Sequence, residues 1–364
     1  MTKSKNFKRR LFRNKVLVIS GIYVVVSLFI TFYNRSILLG GWLSEPARNF
    51  NTRVEFVISL SIGLIAGVVG GSILVQIYEK VFKKKSFGFS WMVTALFFVS
   101  LFLVTFVTVN LIVYSAQFRV SGDHTAALEQ TLNLTVAPPL LSTFLLWGFI
   151  VVLTVFFLQI NDKFGPGVLR KFIRGDYHQP KVEERVFMFL DMRSSTVIAE
   201  KLGNTTYFNL IQEVFIDLTD PIISKRGEIY QYVGDEVIIS WDMKRKEAPT
   251  WALECYFEVQ KRIESLSEKY TEKFGVRPEF KAGIHHGLVT AGEIGSIKKD
   301  IAYSGDVLNT TARIQAECNK FGVDIILSEK TKNLVEGDWN FHELGKIQLR
   351  GKEEKVGLFS VRLE

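Results

Sequence analysis

The chain has 364 residues, 48% of them hydrophobic, and a formal charge of +8, a length that allows two structural units. Its two cysteines, Cys255 and Cys318, form no Cys-x-x-Cys pair and give no basis for a disulfide scaffold or a cysteine zinc site. The basic excess lies largely beside apolar runs, where a membrane surface accounts for it better than nucleic acid does, so no nucleic-acid partner is expected.

The first 160 residues read as a transmembrane domain. Four runs, 16–33, 56–77, 91–116 and 138–160, carry no Asp, Glu, Lys or Arg, and each reaches the length of roughly 20 residues that a spanning helix requires. Lys3, Lys5, Lys8, Arg9, Arg10 and Arg13 precede the first run. No small-residue cleavage site follows it, so it is read as an anchor and not as a signal peptide. Basic residues also gather at Lys80, Lys83, Lys84 and Lys85 and, after the fourth run, at Lys163, Arg170, Lys171 and Arg174. The positive-inside bias then predicts four crossings of the cell inner (plasma) membrane with both termini cytoplasmic. Spans without charge argue against a transporter. Gly63, Gly67 and Gly71 recur every four residues and line one helix face, suited either to packing within the bundle or to a dimerisation or sensor face.

A linker over 161–181 contains the helix breaker Gly165-Pro166-Gly167, and a second domain is expected over 182–364. Val186–Leu190 reads as a buried strand, and Ser194–Leu202 as a helix whose hydroxyls suit its cap. Asn209–Ser224 reads as a second helix. Glu228–Val233 and Val237–Trp241 read as a hairpin around Gly234-Asp235. A long helix over Ala248–Lys269 precedes two strands, Glu279–His285 and Leu288–Ile294, meeting at Gly287. Val307–Asn319 is a helix, Asp324–Leu327 a strand, and Lys346–Arg350 with Val356–Arg362 a closing pair. This order, β-α-α-β-β-α-β with later additions, predicts an α/β (α+β) fold of ferredoxin-like type behind an all-α four-span bundle.

Two strand ends carry the chemistry. Phe187-Met-Phe-Leu-Asp191 and Tyr232-Val-Gly-Asp235 each deliver an aspartate to a strand tip or turn. Taken singly, such an aspartate is usually a turn residue. A pair can hold divalent cations against a triphosphate, because Mg²⁺ favours carboxylates plus substrate phosphates. Arg193, Ser194, Ser195 and Thr196 follow Asp191 at a helix start, where free backbone N–H groups attract phosphate. In Gly305-Asp-Val-Leu-Asn309-Thr-Thr-Ala-Arg313, Asn309 and Arg313 stand four apart and share a helix face. There they suit a ribose and a reacting phosphate, or else form a solvated surface. His285 and His286, adjacent on a strand, point to opposite faces and cannot share one metal.

With Ala282-Gly-Ile-His-His-Gly287-Leu-Val-Thr-Ala-Gly292 and Leu349-Arg-Gly-Lys352, these motifs make residues 182–364 resemble the class III nucleotidyl cyclases. The resemblance implies attack of a ribose 3′-hydroxyl on the α-phosphate of a nucleoside triphosphate, with two Mg²⁺ or Mn²⁺ ions per site. Asp191, Asp235 and the backbone of Met192 would be the metal ligands. Arg193, Ser194, Ser195, Thr196 and Lys352 would bind phosphate, and Asn309 and Arg313 would act in the transition state from the partner subunit of a homodimer. Gln231 and Ala302 hold the base-reading positions, where adenylyl cyclases usually have lysine and aspartate or threonine, so the base is less well specified than the chemistry. ATP is the expected substrate; another base remains open. So does a catalytically silent nucleotide-binding domain, and Gly234-Asp235-Glu236 echoes the turn of diguanylate cyclases.

Overall fold

The computed structural model describes residues 2–39, 52–82, 85–135, 138–164, 174–297, 299–350 and 353–362. The chain divides into two compact units, one spanning Lys8–Leu169 and one containing Arg170–Glu364. The first is helical: α1 (Thr2–Leu39), α2 (Thr52–Ile65), a π turn (Ala66–Gly70), α3 (Gly71–Lys80), α4 (Phe87–Ser121), α5 (His124–Thr135) and α6 (Pro138–Phe164). All four expected runs are helical. Among the described residues, two helices are long and apolar enough to cross a membrane, Phe12–Tyr33 and Phe144–Lys163. The π turn divides the second expected span, and α5 was not expected.

The glycine stripe has its explanation inside this unit. A Cβ at Gly67 would lie 2.5 Å from the Ser20 Cα, and one at Gly63 would lie 2.8 Å from the Val24 Cα. The glycines therefore let α2 and the π turn approach the α1 backbone, the small-residue packing of apolar helices. Just beyond the uncharged runs, Lys15 Nζ meets Glu79 Oε1 at 2.6 Å and Asp162 Oδ1 at 3.3 Å. The Tyr78 hydroxyl donates to Asp162 Oδ2 at 2.9 Å. This cluster ties α1, α3 and α6 together at their charged ends.

The second unit is built on one mixed sheet of eight strands: β1 (Lys181–Met192), β2 (Glu228–Val233), β3 (Glu236–Asp242), β4 (Phe280–Ile294), β5 (Asp300–Ser304), β6 (Ile325–Ser328), β7 (Asn340–Ile347) and β8 (Val356–Arg362). Its spatial order is β2-β3-β1-β4-β6-β8-β7, with β5 pairing to β4. The stretch β2-β3-β1-β4 is the expected ferredoxin-like arrangement. The helices are α7 (Ser195–Leu202), α8 (Asn204–Ser224), α9 (Ala248–Glu264), α10 (Ser267–Phe274), α11 (Asp306–Phe321) and α12 (Glu329–Lys332).

Period-two alternation in β1 sorts the two faces. Val186, Met188, Leu190 and Met192 enter the large core with Leu210, Val214 and Leu218 of α8 and Ala252, Val259 and Ile263 of α9. Phe187 and Phe189 point the other way, against Ile238, Val289 and Val307 of α11. Asp191 belongs to this second face, so the alternation that buries the phenylalanines also carries the carboxylate to the α11 side.

Four sequence expectations change. The helix expected over 248–269 is two helices, α9 and α10. The two strands expected to meet at Gly287 are one 15-residue strand, β4. Gly287 makes no turn there; a Cβ on it would sit 3.3 Å from the Val307 Cβ, so the glycine admits α11. The hairpin partner of the far half of β4 is β5, which carries Ala302 and was not expected as a strand. The last pair begins earlier than expected, since β7 spans Asn340–Ile347.

Candidate active site

The β2–β3 hairpin closes on two residues, Gly234 and Asp235, between the paired Val233 and Glu236. Gly234 has φ +61°, a left-handed conformation that glycine adopts without strain in such tight loops. Register then aligns a cross-strand row: Glu236 of β3 pairs with Asp191 of β1, which pairs with Lys281 of β4. Asp235 at the tip completes a cluster of three carboxylates and one ammonium.

Lys281 Nζ lies 3.1 Å from Asp191 Oδ2. The amide of Gln315, from α11, donates to that same oxygen at 2.9 Å. Burial raises the Asp191 pKa, and the Asp235 charge adds to it, while Lys281 opposes both. Glu236 is pushed up to about 7, first by burial and then by Asp191 and Asp235. One lysine thus faces three acids. Among the described residues no three His, Cys, Asp or Glu side chains are arranged to hold a metal alone. Two adjacent carboxylates with uncompensated negative charge nevertheless fit Mg²⁺ or Mn²⁺, which take most remaining ligands from water and phosphate oxygens.

The raised Glu236 pKa makes a pH prediction. Between the unfolded value of 4.5 and the folded value of about 7, the folded state binds more protons than the unfolded one, so stability falls as pH rises through that window. In the presence of chelator, the melting temperature of the full-length protein relative to Glu236→Gln is expected to fall across it; His286, whose pKa burial lowers, contributes the opposite slope to both proteins. Added Mg²⁺ or Mn²⁺ should recover the loss at pH 7 and above, and Glu236→Gln should flatten the profile. Calorimetry that finds no such pH or metal dependence would remove the charge cluster as described.

The residues after Asp191 divide. Met192 ends β1 with its side chain in the core, leaving only its backbone for the site. Arg193 turns away: Nε and Nη2 donate to Asp324 Oδ1 at 2.9 and 2.6 Å, and Nη2 also donates to the Val323 carbonyl at 2.7 Å. The structure thus uses the Arg193 guanidinium to tie the β1–α7 turn to the loop before β6. Ser194 adopts φ +55° and its side chain does not cap α7, against the capping expected of it. Ser195 is half-buried and Thr196 exposed. The Tyr207 hydroxyl of α8 bonds to Ser195, and burial followed by the Asp235 charge raises its pKa. Lys352 lies outside the described residues.

Asn309 is exposed and Arg313 half-buried on α11. Neither makes a hydrogen bond or ion pair with the described residues, and neither joins the carboxylate cluster of its own chain. Gln231 is exposed on β2 and Ala302 half-buried on β5. Their neighbours bring those strands together: the Tyr303 backbone N–H donates to the Tyr230 hydroxyl at 3.2 Å, and the two rings lie 4.8 Å apart. Buried Arg185 stacks on Tyr303 at 4.9 Å and reaches Glu228 at 2.6 Å, fixing both strands. His285 and His286 bond separately to Ser328 and Thr331, a structural use.

Sequence reading missed Glu236, Lys281, Gln315 and Tyr207. Glu236 was open to discovery, because a two-residue loop places the residue after Asp235 opposite the strand carrying Asp191. The others come from distant segments and left no local pattern.

Residues 177–361 match the family described as the adenylate and guanylate cyclase catalytic domain. A protein named adenylate cyclase 2 from Rhizobium meliloti (strain 1021) is 30% identical over 209 residues, covering 57% of this chain and 58% of the relative. An adenylate cyclase of Anabaena cylindrica is 24% identical over 183 residues, covering 48% and 36%. A solved bacterial light-regulated adenylyl cyclase superposes with TM-score 0.52 at 20% identity, over 60% of this chain and 65% of that one, a likeness of fold. The chain thus spans less than two thirds of the length of each of these proteins. On the match to its C-terminal half, the chain belongs to the adenylate and guanylate cyclase catalytic-domain family.

Proposed function

We propose that this protein is a membrane-anchored nucleotide cyclase that acts as a homodimer and converts ATP to 3′,5′-cyclic AMP and pyrophosphate. The observation that carries the proposal is the Asp191–Asp235 carboxylate pair on the α11 side of the sheet. Asn309 and Arg313, on that same helix, have no side-chain partner among the described residues. A second copy would supply each pair with the other. Exposed Phe208, Ile216, Tyr232 and Val233 offer apolar surface for such an association.

In this reading Asp191, Asp235 and the Met192 carbonyl would hold two Mg²⁺ or Mn²⁺ ions, which would acidify the attacking hydroxyl and neutralise the triphosphate. Lys281 balances part of the carboxylate charge before substrate arrives. Ser194, Ser195 and Thr196 present the backbone N–H groups at the start of α7 to phosphate. Arg193 shapes that turn through Asp324, and Lys352 would bind the terminal phosphates, as its place in the Leu349-Arg-Gly-Lys352 motif implies. Asn309 orients the ribose, and Arg313 of the partner chain stabilises charge growing on the α-phosphate. The four apolar runs anchor the enzyme in the cell inner membrane, with both termini on the cytoplasmic side where the triphosphate is available.

The test incubates detergent-solubilised full-length protein with ATP, GTP, CTP or UTP and Mg²⁺ or Mn²⁺, with products identified by mass spectrometry. Cyclic AMP is expected as the main product. A folded dimer that forms no cyclic product with any of the four would establish the silent nucleotide-binding domain instead.

One observation favours a second reading of the substrate. Gln231 can both donate and accept, whereas Ala302 can do neither, so the base pocket is weakly discriminating. Gln231→Lys with Ala302→Asp adds a donor and an acceptor that a purine amino and ring nitrogen can satisfy. The pair is expected to raise the ATP over GTP preference in kcat/KM about tenfold or more. An unchanged ratio would place base recognition elsewhere.

A further inference from the structure

We infer that Gln315 is a positioning residue for the metal-binding carboxylate, and that it makes α11 a member of two active sites at once. The inference rests on the homodimeric cyclase reading for its second half only. The first half stands on the contacts within one chain.

Gln315 is 7% exposed, and its amide nitrogen lies 2.9 Å from Asp191 Oδ2. Lys281 approaches that same oxygen. Both donors therefore occupy one side of the carboxylate. They restrain its rotation and occupy the lone pairs of Oδ2, so that a cation would bind through Oδ1 on the side of Asp235. A ligand whose outer partners hold it in one orientation binds metal more tightly than one that turns freely. Gln315 itself is held without slack. α11 seats on β4 at Gly283, where an added Cβ would meet the Gln315 backbone nitrogen at 2.5 Å and its Cα at 2.8 Å.

The helix has two working faces. At about 100° per residue, Gln315 is turned roughly 200° from Arg313 and roughly 240° from Asn309. Val307, Thr311, Ile314, Gln315 and Cys318 face inward and are buried. Asn309 and Arg313 lie on the opposite side, where neither side chain has a partner among the described residues. One rigid element thus holds Asp191 of its own chain while it offers Asn309 and Arg313 to the other chain's site. Two-fold symmetry repeats the arrangement. Ligation at one pair of carboxylates acts on the helix that completes the opposite site.

Two measurements on the full-length protein test this. The first is Mn²⁺ binding followed by electron paramagnetic resonance, with a non-cyclisable ATP analogue present. Gln315→Leu removes the donor at nearly constant volume, and Gln315→Asn withdraws the amide by one methylene. Each is expected to weaken Mn²⁺ binding about tenfold, with the thermal melt recorded alongside as the check on folding. The second places Gln315→Leu in mixed dimers of Asp191→Ala and Arg313→Ala chains, whose single complete site takes its carboxylate from the Arg313→Ala chain. The loss of turnover should be at least several-fold larger when Gln315→Leu is carried by the chain that supplies Asp191. A packing defect in α11 would instead act mainly from the Asp191→Ala chain, whose α11 supplies Asn309 and Arg313 to that site. Equal losses, a larger loss from that chain, or unchanged Mn²⁺ affinity in both variants overturn the assignment, as does wild-type protein that binds no Mn²⁺. Wild-type protein that binds Mn²⁺ yet forms no cyclic product would sink the cyclase reaction while leaving Gln315 judged by the binding data.

Discussion

Asp191→Ala and Arg313→Ala are each expected to lower cyclic-nucleotide formation by about a thousandfold, and mixing the two inactive chains should restore about a quarter of the wild-type rate. In the proposed mechanism the carboxylate and the guanidinium act on different stages of one event. Asp191 belongs to the anionic row that Lys281 leaves under-neutralised, so its loss would remove the proposed ligand of the cation. Arg313 makes no ion pair with the described residues, so its loss should leave the fold intact and, in the proposed mechanism, remove charge stabilisation from the transition state alone. Random exchange makes half of the dimers mixed, and each mixed dimer has one complete site out of two. Asp235→Ala should behave as Asp191→Ala does and fail to complement it, because both residues belong to the same half-site. The readout is product formation by mass spectrometry after co-expression of separately tagged chains, with about a quarter of the wild-type rate expected of the unfractionated dimers and about half of dimers isolated by both tags. No recovery in such dimers would mean that each chain builds its whole site alone.

The parts of this site that were legible in the sequence are those set by neighbours in the chain. The hairpin around Gly234-Asp235 follows from two β-type runs and a glycine-bearing turn, and the position of Asp191 at the end of β1 follows from one apolar run. The spacing of Asn309 and Arg313 gave their shared face at once. What failed was decided by tertiary contact. Gly287 looks like a break between strands, yet it is a point of close approach to Val307. β5 is short and alternates poorly, and it exists because the far half of β4 offers it an edge. Arg193 looks like a phosphate ligand from its place after Asp191, but Asp324, 131 residues away, claims its guanidinium. The donors on Asp191 arrive from 90 and 124 residues downstream, and no periodicity joins them to it.

Gly283→Ala is expected to cost about 2–3 kcal/mol of stability and to lower turnover by about a hundredfold. The new methyl group would press on backbone: the Gln315 nitrogen at 2.5 Å and Cα at 2.8 Å. A backbone in mid-helix has no rotamer to relieve the contact, so α11 must lift from β4. Lifting it draws the Gln315 amide off Asp191 Oδ2, where 2.9 Å leaves little margin for a hydrogen bond. It also shifts Asn309 and Arg313 on the outer face, and a displacement near 1 Å at a reacting centre is worth about a hundredfold. Gly287→Ala supplies the contrast. Its methyl group would meet only the Val307 side chain, at 3.3 and 3.4 Å, which can give way, so a loss below about 1 kcal/mol is expected. Thermal unfolding and turnover of the two variants decide the matter together. Equal behaviour of Gly283→Ala and Gly287→Ala would show that the seat of α11 on β4 does not control the site. A Gly283→Ala protein that is destabilised yet keeps wild-type turnover would show that the helix tolerates the shift without disturbing Asp191, Asn309 or Arg313.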